Sequence, residues 1–122
     1  MNIEQIREYC LSKKGTTEDF PFDEDTLVFK VLGKMFALTS LKWWERSEAG
    51  INLKCNPDYA QELRAEYSSI RPGYHMSKIH WNTIYLHEGE LQPKFVLELI
   101  DHSYEMVVKG MPKKLRVTLG SL

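Results

Sequence analysis

Two runs of β-forming residues, Thr26–Leu32 and Met35–Leu41, are separated only by Gly33-Lys34. A connection this short joins antiparallel neighbours, because parallel strands need a crossover of a dozen residues or more. The glycine position fits a type II′ hairpin turn. A third strand follows, in which Ile51, Leu53 and Cys55 alternate with Asn52 and Lys54 and leave one face solvated. Between the second and third strands runs Lys42–Ala49, long for a hairpin loop and carrying the adjacent Trp43 and Trp44.

Helical periodicity brackets these strands. Asn2 is placed to cap a first helix with Gln5 as its capping-box partner, and Ile3, Ile6 and Cys10 fall on one face. Lys13-Lys14-Gly15 closes that helix. Asn56-Pro57-Asp58 starts a second helix, with Ala60, Leu63 and Tyr67 as its buried stripe. Strands are expected at Trp81–Leu86 and near Ile70 or Tyr74–Met76. A last helix begins near Pro93 and buries Val96, Leu99, Ile100, Ser103 and Val107. Residues 113–122 read as a basic, partly ordered tail. The whole chain, 1–122, is expected to form one α+β domain of two layers, an antiparallel sheet with helices on one face, in the order α-β-β-β-α-β-β-α.

Cys10 and Cys55 lie in apolar patterns and form no CxxC pair, which excludes a zinc ribbon or a redox motif. The N-terminus lacks the basic and apolar regions of a secretion signal, and no run is long enough to span a bilayer. A cytoplasmic protein with no membrane contact is expected. The formal net charge of −1 limits affinity for phosphate, so nucleic-acid binding would depend on local patches such as Lys113-Lys114-Leu115-Arg116.

The richest segment chemically is Arg71–Thr83, where a Pro72-Gly73 turn precedes Tyr74, His75, Lys78, His80, Trp81 and Asn82. His75 and His80 are five apart and fit no zinc spacing, so no metal is expected. The acids Glu18, Asp19, Asp23, Glu24 and Asp25 read as a solvated loop. No nucleophile elbow, P-loop, dinucleotide fingerprint or HExxH occurs, and neither catalysis nor a cofactor is expected. Alternation on the strand at Trp81 puts Trp81, Thr83 and Tyr85 on one face and Asn82, Ile84 and Leu86 on the other. With Ile84 and Leu86 facing the core, the Trp81 face is expected to be open.

The chain resembles the bacterial MmcQ/YjbR family over nearly its whole length. The resemblance rests on Phe20–Val31, Lys34–Leu38, Asn52–Pro57 and, above all, Pro72–Thr83, with Ser77 where the family pattern has asparagine. Ser103-Tyr104 and Pro112-Lys113-Lys114 complete it. The resemblance implies a two-layer fold akin to frataxin and type III secretion chaperones, and DNA binding through a double-wing arrangement of strands. It does not bring frataxin's iron with it, since the acids sit in one loop.

A small, monomeric DNA-binding protein of modest affinity is therefore expected. Lys78, His80, Lys113 and Lys114 would contact phosphates. Tyr74, Trp81 and Asn82, beside His75, would supply stacking and groove contacts. A chaperone-like module using the Trp81–Tyr85 strip to hold a protein partner is the alternative, and a small-ligand pocket near His75 and His80 a third reading.

Overall fold

Val31 pairs with Lys34, so the hairpin turn of the computed structural model is Leu32-Gly33 rather than Gly33-Lys34. Both turn residues have positive φ, 47° and 83°, as a type I′ turn requires. This register keeps Val31 in the core and leaves Lys34 exposed at the tip. The structure describes Met1–Leu122.

The sheet has six strands: β1 (Thr16–Asp19), β2 (Thr26–Val31), β3 (Lys34–Ser40), β4 (Ile51–Lys54), β5 (Ile70–Pro72) and β6 (Trp81–Ile84). All neighbours are antiparallel, in the order β1-β2-β3-β4-β6-β5. Five helices complete the fold: α1 (Ile3–Leu11), α2 (Leu41–Glu45), α3 (Pro57–Glu66), α4 (Pro93–Lys109) and α5 (Lys113–Gly120). Every expected element is present in the expected order. β1, α2 and α5 are additions. β1 is polar and exists by pairing with β2. α2 lies inside the segment read as a loop. α5 replaces the expected tail, because Leu119 buries against the core and Leu115 packs beside it.

α1 is closed at its N-terminus by the expected capping box of Asn2 and Gln5. Asn56 caps α3 by accepting from the N–H groups of Asp58 and Tyr59 at 3.0 and 3.1 Å. α4 packs across β2, β3 and β4 and buries all five residues of its expected stripe. Ser103 in that stripe has a polar task. β3 and β4 pair only at Ala37–Leu53 and Leu38–Asn52 and then diverge. The Ser103 hydroxyl fills the gap, donating to the Phe36 carbonyl at 2.5 Å and accepting from the Lys54 N–H at 2.8 Å. Both groups would otherwise be buried without partners, a cost of about 1–3 kcal/mol each.

Cys10 and Cys55 are both buried free thiols. Desolvation pushes Cys10 up to about 12 and Cys55 up to about 11, so neither is a thiolate near neutrality.

Candidate functional site: a clasped loop between a basic groove and an aromatic cleft

The sheet face opposite the helices is not the open strip that alternation suggests. Trp81 is 8% exposed and Thr83 fully buried. The alternation itself is as expected: Trp81 and Thr83 share one face, and Ile84 belongs to the helix-side core. Their burial comes from the chain just before β6. Residues 73–80 fold back over the face, and Trp81, Val28 and Leu38 form a second small cluster with Met35 and Met76.

Polar contacts pin this loop at both ends. The Tyr74 N–H donates to the Thr83 hydroxyl at 2.8 Å, and that hydroxyl donates to the Asn52 side-chain carbonyl at 2.5 Å. The Asn52 amide returns a bond to the Tyr74 carbonyl at 3.3 Å. At the other end, Arg64 of α3 donates to the Asn82 side chain at 2.6 Å and to the carbonyls of Lys78 and Trp81 at 2.5 and 3.1 Å. The Lys78 ammonium bonds across the neck to the Gly73 carbonyl. Gly73 is required by close approach: a Cβ there would lie 2.8 Å from Trp81 Cβ and 3.0 Å from Met76 Cβ.

These contacts reassign several expected site residues. Asn82 is 2% exposed and serves Arg64, so it offers nothing to a DNA groove. Trp81 packs against Val28 and Leu38, so the strip expected to be open is closed at Trp81 and Thr83, while Tyr85 stays half-exposed. Lys78 is exposed, and its ammonium, which has no carboxylate partner, bonds to the Gly73 carbonyl of its own loop. Tyr74, His75 and His80 are exposed, as are Lys113 and Lys114 at the start of α5. His75 adopts φ 56°, a left-handed conformation uncommon outside glycine.

Two concavities flank the loop. One is a groove of about 480 Å³ that opens where β3 and β4 diverge above the end of α4. Lys34, Lys54 and the edge of Trp81 line it, along with Met111 and Pro112, and its only charged side chains are the two lysines. α5 begins at its rim with Lys113 and Lys114, and no side chain caps that helix. Lys34, Lys54, Lys113, Lys114 and Arg116 form no ion pair, as is true also of Lys14, Arg46, Arg64, Lys78, Lys94 and Lys109, whereas Arg7, Lys13, Lys30, Lys42 and Arg71 are each matched to a carboxylate. Lys34 and Lys54 were not among the residues singled out from sequence. The hairpin register that puts Lys34 at the tip was the signal available.

The other concavity is a cleft of about 420 Å³ with Leu38 and Asn52 on the sheet and Phe22, Trp43 and Tyr74 around it. Trp43 and Tyr74 meet edge to face at 6.0 Å, and Tyr74 and His75 at 4.1 Å. The adjacent tryptophans thus divide: Trp43 lines the cleft, while Trp44 packs on the core and donates to the Thr39 hydroxyl at 2.9 Å. Asp23 stands at the cleft as a turn cap, accepting from the N–H groups of Asp25 and Thr26 at 2.8 and 2.7 Å. Those bonds hold its carboxyl below the usual range. His80 does not line the cleft, so the two histidines do not converge there. No three His, Cys, Asp or Glu side chains converge as a metal site. No helix is long and apolar enough to cross a membrane.

The fold and these surfaces define a small α+β domain with a helix-covered sheet whose second face is closed by a loop. The chain belongs to the YjbR family, whose pattern matches residues 11–106. It is 34% identical to the protein YjbR of Escherichia coli K12 over the full length of both. It is 39% identical to YbdF of Escherichia coli O157:H7 over 78% of this chain and 75% of that protein. The crystal structure of Deinococcus radiodurans DR2400, with its DUF419 domain, superposes with a TM-score of 0.87 at 38% identity, covering 98% of this chain and 88% of that one. A Pseudomonas syringae crystal structure gives a TM-score of 0.72 at 30% identity, covering 87% of this chain and 98% of that one.

Proposed function

We propose that the protein binds DNA without catalysis, taking the phosphate backbone along the groove beside Trp81. The observation that carries this reading is the groove's charge: Lys34 and Lys54 line it, no carboxylate does, and unpaired Lys113 and Lys114 continue it. Phosphate affinity comes from such cations, and an uncapped helix start adds partial positive charge. The β2–β3 hairpin tip supplies the groove wall, as a wing would. Overall charge of −1 keeps the affinity modest.

The test is fluorescence anisotropy of labelled DNA across a salt series. Four phosphate contacts predict a slope of log affinity against log salt of about −3.6 on duplex and about −2.8 on single strands. Lys34→Ala and Lys54→Ala should each reduce the slope by about one contact. Anisotropy that stays flat for every DNA at low salt defeats this reading.

A further inference from the structure

The cleft between Phe22, Trp43 and Tyr74 serves neither the core nor the basic groove. Its aromatic side chains are unusually open for a small domain: Phe22 is 64% and Tyr74 51% exposed. At the base of the cleft Asn52 is 2% exposed, and its amide makes a single bond, to the Tyr74 carbonyl at 3.3 Å. An amide nitrogen has two hydrogens to donate, so Asn52 keeps capacity for an acceptor in the cleft. Asp23 accepts three bonds and keeps acceptor capacity beside it.

We infer that this cleft takes an unpaired nucleobase, stacked on the aromatic walls and bonded at its edge to the Asn52 amide and the Asp23 carboxylate. A nucleobase is flat, presents acceptors and N–H donors on one edge, and has a π-face that aromatic side chains hold regardless of sequence. The cleft's only full negative charge, Asp23, repels phosphate and keeps the backbone outside. The backbone has its own place: Asn52 in the cleft and Lys54 in the groove are alternate residues of β4 on the same face, about 7 Å apart. A single strand therefore lays phosphates along the lysines and turns a base into the cleft. The strained backbone at His75 and the pinned loop hold Tyr74 in position before any ligand arrives. This inference rests on the proposed DNA reading and deepens it, assigning single strands over duplex.

The experiment compares labelled single strands with abasic strands of equal length and charge, on the native protein, Tyr74→Ala and Phe22→Ala. Both side chains are exposed, so truncation leaves the fold intact. Base-bearing strands should bind on the order of ten-fold tighter than abasic ones, and either substitution should close that gap without changing the salt slope. Equal binding of the two strands, with the slope retained, overturns the cleft assignment and leaves the groove standing. If no DNA binds at low salt, the groove reading falls and free adenosine and thymidine decide the cleft. A shift of the Asn52 side-chain amide resonances on their addition supports it, and resonances that stay still overturn it.

Discussion

On the helical face of the sheet, twenty buried residues, drawn from every strand but β1 and from four helices, merge into one apolar cluster. The opposite face buries only Val28, Leu38 and Trp81 together, and closes over them with a chain of hydrogen bonds through Asn52, Thr83 and Arg64. The first face is held by area removed from water, which tolerates small adjustments. The second is held by polar groups that must each keep a partner, so its geometry is more exacting and its total contribution smaller. The aromatic cleft lies on the second face, and the basic groove opens at the margin where the end of α4 meets β3 and β4. The cleft is thus assigned to the side where shape is set by direction rather than by volume.

Four outcomes would break or sharpen that contrast. Phe29→Ala, on the helical face, should cost about 3–5 kcal/mol in a urea melt, the range for deleting a fully buried aromatic. Trp81→Ala should cost less, about 2–3 kcal/mol, because the loop above it can settle into the space. Equal losses would show that the two faces form one cooperative core. Arg64→Leu strands the buried Asn82 side chain and two carbonyls, and should cost about 1–3 kcal/mol in the same melt. It should also release residues 73–80 to amide exchange, leaving α4 protected. A uniform rise in exchange would contradict a locally held clasp.

The smallest effects are electrostatic. Burial pushes His102 below its ordinary value, where it accepts from the Asn56 N–H at 3.1 Å. A depressed folded value means the unfolded chain binds the proton first. The contribution is whole above about pH 6.5 and is lost as pH falls toward the folded value. His102→Gln should flatten the pH dependence of stability in that window, and an unchanged profile would place the acid sensitivity elsewhere. Lys78→Ala should leave the DNA salt slope unaltered, since its ammonium is engaged with Gly73. A slope lower by one contact would return Lys78 to the phosphate-binding set that the sequence suggested.

How much was legible follows the same division. The amphipathic stripe of α4 and the caps at Asn2 and Asn56 are local patterns, and each was readable with its burial. So was the alternation at Trp81. What covers a strand face is not local. The burial of Trp81 depends on Asn52 and Arg64, which are distant in sequence from the loop residues they hold. β1 was missed because Thr-Thr-Glu-Asp carries no apolar signal and gains strand structure only from β2. The cleft was legible in parts, as aromatic residues and an acidic turn. Its assembly from Phe22, Trp43, Asn52 and Tyr74 required the fold.

The outermost strands have a consequence of their own. β1 is four residues long and ends in Glu18-Asp19, while β5 is three residues long and ends in Pro72, which has no N–H to donate. A short acidic border on one side and a proline border on the other make poor templates for a strand from another molecule. The sheet is finished at both margins. Crowding this protein should not draw it into ribbons, and a peptide seeking an extra place beside these strands would find the ladder closed.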